Sequence, residues 1–539
     1  MKAHFRQSMA WLHTWCGLVC GWLLCAIFLT GTLSVFRDEI TRWMEAEPVV
    51  VAQASSTGLA AAEQLAMGTA YLAAQAADAR FWRIELPKRG GAPLNVFWRI
   101  GTTNQQAALA PQTGQVADIP AARKTTGGGH FVKFHYSLQA DVPGFYVVGV
   151  LSAGMLIALI SGVVIHKKIF IDFFTFRWGK GQRSWLDAHN ATAVLTLPFL
   201  FMIVYTGLAI FYTSYVPMPM ETVYGNDGKA FSRFEADVAS HAPAHGIAPL
   251  GALSLRDLSR PLAVAETALG RPNGRVLIDR PASADPKVRF FGAKTDTGDS
   301  PRLLNAEGSI TFSAAKGAVT AFDASDPMPF SIHDIHRATE YLHRVAFGGA
   351  VMQWLYFLSG LAGTAMMITG SLLFSTKRRL KHDHAFGAAT PYLYRAIESL
   401  NVALIVGSAI ASIAYFYGNR LIPADVIGRA PMEIRVFFWV WLATHVHAVL
   451  RPPQRAWVEQ AATGAVLCAC LPLLNAITTG QHLGAYVAAG DWARAGVEIT
   501  SLGFAMLLAA IAYRAARAPV AVKRKVPAVR PVPAQAASS

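Results

Sequence analysis

Runs of apolar residues alternate along the chain with two long polar stretches. A helix of about 18 or more mostly apolar residues crosses a bilayer, and eight such spans are expected near 12-36, 145-166, 190-214, 349-374, 393-417, 434-450, 457-478 and 494-514. Polar stretches 37-134 and 215-335 follow the first and third spans. Each begins with a helical pattern, Ala60 to Ala77 in one and Leu255 to Leu269 in the other. Alternating strands come next, Phe81-Trp82-Arg83-Ile84-Glu85-Leu86 and Arg275-Val276-Leu277-Ile278, then a hairpin-like turn, Gln112-Thr113-Gly114-Gln115-Val116 and Ala315-Lys316-Gly317-Ala318-Val319. Period-two alternation bounded by glycine turns is a strand pattern, so both inserts are expected to be α/β.

The elements also repeat. His13 lies 18 residues before Gly31, and His189 lies 18 before Gly207. Further on, His135 lies 27 residues before Gly162, and His343 lies 27 before Gly370. The unit of span, insert, histidine and span is therefore read as duplicated, once over 1-180 and again over 181-380. Four further spans occupy 381-517, and the Pro-, Ala- and Val-rich basic tail 518-539 is expected to be disordered.

Copies of a two-span unit share orientation, so they pack about a pseudo-twofold axis along the membrane normal and set equivalent residues face to face. His13 would then oppose His189 at one membrane face and His135 would oppose His343 at the other. Two opposed neutral imidazoles are what bis-histidine haem b needs, with glycines leaving room for a flat macrocycle. Such ligation leaves no open iron position and favours electron transfer. His166 ends the second span near the level of His13 and His189 and is an alternative ligand there; the symmetric pair is preferred. His333 and His336 fall on about the same helical face as His343 and are candidates for substrate or metal instead. His445 and His447 read as an interfacial pair. His135 lies about nine residues ahead of its span with Pro143-Gly144 between, so the outer site is expected at or above the bilayer surface beneath the inserts; a continuous 27-residue helix would extend about 40 Å and set the two haems far apart.

Charge and composition then orient the picture. The chain is 53% hydrophobic and 15% charged, too apolar for a water-soluble protein of 539 residues. Its net charge of +15 clusters beside the spans, at Lys167-Lys168, Arg177, Lys180, Arg183, Lys377-Arg378-Arg379, Lys381, Arg451, Arg455 and Lys523-Arg524-Lys525. These fall on one face, the cytoplasmic one by the positive-inside rule, which puts both termini inside and both inserts outside. No nucleic-acid partner is expected. The five cysteines all lie inside spans, and without Cys-x-x-Cys-His a covalent c-type haem is excluded in its usual form. The basic start before the first span suits a retained anchor.

Trp11-Leu12-His13 with Trp15 and Gly17, Asp187-Ala188-His189, Leu342-His343-Arg344 and Ser161-Gly162 resemble the PepSY-associated transmembrane proteins, bacterial inner-membrane proteins that include siderophore-linked ferric reductases. Asn190 departs from that pattern, in which Arg often follows the histidine. The resemblance implies PepSY-like α/β modules inserted between helices, haem b in the membrane, and one-electron reduction of ferric chelates arriving outside. Arg80 and Arg83 on the first insert are candidates for attracting an anionic chelate. No cytoplasmic loop is long enough for a flavin or nicotinamide domain, so the donor is expected to be separate, a quinol or a cytoplasmic reductase. The rival expectations are a permease for an iron chelate or peptide, and a PepSY binding or protease-regulating module on a membrane anchor.

Overall fold

The computed structural model describes residues 3–46, 59–87, 93–101, 103–110, 113–116, 123–166, 182–227, 229–231, 233–234, 247–293, 308–323, 332–381 and 390–517. The disordered-tail expectation for 518-539 and the basic residues Lys167-Lys168, Arg177, Lys180 and Lys523-Arg524-Lys525 lie outside them. The principal helices are α1 (Ala3–Ser34), α2 (Arg37–Glu45), α3 (Ala61–Gln75), α4 (Gly129–Ser137), α5 (Asp141–Ile165), α6 (Gln182–Ile210), α7 (Ser259–Leu269), α8 (Ile332–Arg344), α9 (Gly349–Lys381), α10 (Thr390–Leu421), α11 (Arg429–Leu450), α12 (Pro453–Thr479) and α13 (Trp492–Arg517).

Seven of these, α1, α5, α6, α9, α10, α12 and α13, are long and apolar enough to cross a membrane, making this a multi-pass membrane protein. The sixth expected span, 434-450, is helical within α11 but is not among the seven. Its first turns carry Arg429, Glu433 and Arg435, which dilute the apolar run.

Helices α1, α5, α6 and α9 form a closed bundle in which each packs on two neighbours, α1 on α5 and α9, and α6 on the same two. Leu24, Ile27, Phe28, Met155, Leu159, Leu200, Val204, Met366 and Met367 fill its centre. The short helices α4 and α8 pack on α1 and α6 at the end nearer the inserts, here called the insert end. They are not continuous with α5 and α9. Leu138, Gln139 and Asp141 take left-handed φ of 53°, 58° and 47°, and Val345, Gly348 and Gly349 take 55°, 67° and 63°. Left-handed residues cannot continue a right-handed helix, so each short helix folds back at these positions. The interruption expected at Pro143-Gly144 is thus a reversal between two helices, and no continuous 27-residue helix links His135 to Gly162.

The inserts contribute strands β1 (Phe81–Glu85), β2 (Leu94–Ile100), β3 (Thr103–Leu109), β4 (Asn273–Asp279), β5 (Lys287–Gly292), β6 (Ser309–Ser313) and β7 (Val319–Asp323) to one antiparallel sheet, ordered β3-β2-β1-β4-β5-β6-β7. The join is β1 with β4, Arg83 opposite Leu277 and Ile84 opposite Val276. Pairing satisfies a strand edge that each insert would otherwise leave open. One face buries Trp82, Ile84, Val96, Trp98, Val276, Ile278, Val288, Phe290, Ile310 and Phe312 against Leu65 and Leu72 of α3 and Leu262, Ala265 and Leu269 of α7.

The last four helices form a second bundle, α10 against α11 and α12, and α12 against α13. It holds α2 and α4 in place. Ile40, Trp43 and Met44 of α2, and Phe131 and Phe134 of α4, enter its core beside Tyr415, Phe416 and Phe437.

Candidate functional site

Each of the four histidines from the duplicated pattern rests on a glycine of another helix. A Cβ added at Gly31 would lie 2.6 Å from the His135 ring, at Gly207 2.8 Å from His343, at Gly162 3.1 Å from His13, and at Gly370 3.1 Å from His189. These are the glycines marked by the 18- and 27-residue spacings. On α1 and α6, 18 residues of helix at ~1.5 Å each put histidine and glycine ~27 Å apart along the axis. The spacing therefore encodes two levels of one bundle, and within each repeat the histidine of one level sits on a span that seats the histidine of the other.

The rings meet in the expected pairs. The His13 and His189 centroids are 6.2 Å apart, and those of His135 and His343 are 6.1 Å apart. An imidazole nitrogen lies about 2 Å from a coordinated first-row metal. With the ring centre ~1.1 Å behind the nitrogen, two imidazoles on opposite sides of one iron have centroids ~6.3 Å apart. Both pairs fit that spacing.

The ring nitrogens are already sorted. Nδ1 of His13 bonds the Ala158 carbonyl at 2.8 Å, His135 that of Ile27 at 2.8 Å, His189 that of Met366 at 2.9 Å, and His343 that of Ile203 at 3.0 Å. An Nδ1–H donated to a carbonyl fixes the neutral tautomer with its lone pair on Nε2, the form in which histidine binds a metal. Each acceptor sits four residues before the glycine that seats the ring, so one helical turn supplies both the seat and the anchor. Outside the spans, burial holds the His135 imidazole below its ordinary pKa, and burial with the neighbouring His135 takes His343 down to about 3. Both favour the uncharged ring.

The His13 and His189 pair opens on a cavity of about 660 Å³, also lined by Arg6, His166, Gly162, Gly370 and Phe374. That size lies within the ~300–1,000 Å³ of ordinary cofactor pockets. His166 caps α5 at the rim. The ring opposite His13 is His189. His336 packs on Tyr212 at 5.9 Å, while the His333 side chain lies outside the described residues. Among the described residues no three His, Cys, Asp or Glu side chains come together as a metal cluster. His445 bonds the Trp441 carbonyl and His447 meets Glu459 at 2.8 Å, both at the end of the bundle opposite the inserts.

Of the two insert arginines, Arg80 is exposed beside β1, while Arg83 lies on the sheet face away from α3 and α7. Its guanidinium covers Phe97 at 4.0 Å, and Arg275 covers Phe291 at 4.1 Å on the same face. That face carries basic and aromatic side chains together with Glu85, which pairs with Arg83 at 3.3 Å and stands opposite Arg275. It suits an anionic, partly flat ligand by charge and by stacking.

Sequence reasoning missed the polar layer under α2. Arg420 donates Nε to Asn475 at 2.8 Å and Nη1 to the Met44 carbonyl at 3.1 Å, and Asn475 donates to Glu498 at 2.7 Å. Arg429 pairs with Glu433 at 3.0 Å, both fully buried. Also missed was His130, enclosed by Tyr415 and Phe437, with Nδ1 on Gln139 at 2.9 Å.

Residues 10–377 match the family described as the PepSY-associated TM region. The chain is also 24% identical over 406 residues to the uncharacterized protein PA4219 of Pseudomonas aeruginosa, covering 72% of this chain and 94% of that protein. The family match holds all four paired histidines and their glycines and ends before the second bundle.

Proposed function

Because the chain belongs to the PepSY-associated transmembrane family, we propose that it is a bacterial inner-membrane di-haem b reductase that delivers electrons to a ferric siderophore outside the membrane. The observation that carries this reading is one arrangement made twice, facing rings 6.2 and 6.1 Å apart at two levels of the same bundle. His13 and His189 would hold one haem, and His135 and His343 the other. Bound haem supplies one-electron transfer.

The chain's own groups do the rest. The carbonyls of Ala158, Ile27, Met366 and Ile203 hold each Nδ1 proton and aim Nε2 into the pair. The four glycines bring the backbone close enough to seat the rings. Two histidines on one haem iron would leave no open iron site and would favour electron transfer over oxygen chemistry. By the positive-inside rule the basic face is cytoplasmic and the sheet lies in the periplasm. There Arg83 and Arg275 would receive an anionic chelate, and hard oxygen donors hold ferrous iron far more weakly than ferric, so one electron frees the metal. The donor is a separate molecule, a quinol or a cytoplasmic reductase.

The test is anaerobic. Protein reduced with dithionite and freed of excess is mixed with a ferric trihydroxamate and a ferrous-specific dye. One ferrous ion trapped per reduced haem is the expected result. Reduced bands that persist in the presence of the chelate would contradict the proposal, and chelate uptake into vesicles without any haem bands would favour the permease.

A further inference from the structure

A second cavity, of about 310 Å³, lies where the histidine bundle meets the second bundle. Its walls are apolar and aromatic, with Phe36, Trp354, Phe357 and Phe416 at the insert end and Phe504 and Leu508 deeper. The wall contributed by α13 runs from Trp492 to Leu508, 16 residues or ~24 Å of helix, so the space is a slot along the bilayer normal. Trp354 and Trp492, which line it, remain exposed.

One polar pair stands at the insert end. Gln353 Nε2 reaches Glu39 Oε1 at 3.5 Å, while the buried Glu39 Oε2 has no hydrogen-bond partner. The nearby Ser412 and Ser501 hydroxyls spend their protons on the carbonyls of Ser408 and Cys468. Burial raises the pKa of the Glu39 carboxyl, as befits a group that takes up a proton.

The slot shares a helix with the outer histidine pair. Gly31 of α1 seats His135, and Leu29 and Leu33, two residues to either side, line the slot. Two residues turn a helix by ~200°, so ring and slot lie on opposite faces of the same turn, about one helix diameter of 10–12 Å apart.

We infer that this slot binds an isoprenoid quinol, with its ring hydroxyl donating to Glu39 beside Gln353 and its prenyl tail running down toward Phe504 and Leu508. This rests on the reading of the histidine pairs as haem sites and names the membrane donor for them. An apolar slot with a single acid and amide at one end matches an uncharged ring on an apolar tail. A phospholipid fits worse, because its phosphate would meet the Glu39 carboxylate. On oxidation the quinol becomes the quinone, losing two electrons and two protons. One electron goes to each of the two histidine-held haems, one proton to Glu39 and the other to water at the insert end. Two one-electron sites thus accept both electrons of one quinol.

Binding is read first and does not need haem. Decylubiquinone titrated into the full-length protein in detergent is expected to quench tryptophan fluorescence saturably, through Trp354 and Trp492. Gly496 lines the slot, and a Cβ there meets nothing within 4 Å, so Gly496→Leu enters the slot from an unobstructed Cβ. That variant is expected to weaken binding at least tenfold, and Glu39→Gln severalfold; the second serves should the first not fold. Decylubiquinol is then expected to reduce the bound haems at least tenfold more slowly in Gly496→Leu than in wild type, with dithionite reducing both fully. Quenching that does not saturate, or that Gly496→Leu leaves unchanged, would overturn the quinol site and leave the haem reading standing. Saturable binding to a protein that carries no haem would keep the slot as a quinone site and remove the reductase.

Discussion

The two bundles bury polar side chains to opposite ends. In the second bundle Arg420, Asn475 and Glu498 turn on one another and on the main chain of α2, at 2.7 to 3.1 Å. In the first, each of four imidazoles spends one nitrogen on a carbonyl and faces a second ring across a gap of about 6 Å between centroids, too wide for the rings to bond each other. A hydrogen-bonded network rigidifies, whereas a pair of rings about 6 Å apart is, on the function proposed above, a place for haem iron. On that reading the second bundle is the brace and the first is the holder, with α2 and α4 as the parts they share.

The largest expected effect breaks the holder without touching a histidine. Gly31→Val would drive side-chain carbons into the His135 ring, where even a Cβ comes within 2.6 Å. It is expected to abolish the insert-end haem, halving the haem content by pyridine haemochrome, while Gly503→Ala, whose Cβ meets nothing within 4 Å, keeps the full count. Breaking the brace should act differently. Arg420→Ala leaves Glu498 and Asn475 without their cation and is expected to cost about 3–5 kcal/mol, read as a lower unfolding midpoint in detergent, with the haem of His13 and His189 retained in the folded fraction. The smallest effect should come from His166→Ala. It sits at the cavity rim while His13 faces His189, so both haems should remain and only the midpoint potential of one should shift; loss of that haem would make His166 a ligand.

The holder was legible in the sequence because its parts lie at fixed spacings on single elements. His13 and Gly31 are 18 residues apart on one helix, and only a helix converts that number into two levels of a bundle. The partners were legible too, since equivalent positions of a repeat face each other. Less legible was the seating of each ring on the glycine from the other spacing, which depends on the reversals at Leu138 and Val345. Pro143-Gly144 mark an interruption between His135 and the span, but nothing in the sequence gives the left-handed turn at Leu138 and Gln139 or the direction in which the short helix folds back. The joining of β1 to β4 and the polar layer of Arg420, Asn475 and Glu498 were hidden for a related reason. Both depend on residues brought together from distant parts of the chain, β1 with β4 and Arg420 with the main chain of α2, which no local spacing marks.

One measurement goes to the centre of the account, the visible spectrum of the purified protein from haem-replete cells, oxidised and dithionite-reduced, with a haem count. Two b-type haems per chain with sharp low-spin reduced bands are expected, one lost in His343→Ala and the other in His189→Ala. A folded protein without haem, or one whose count is unchanged by either substitution, would contradict it.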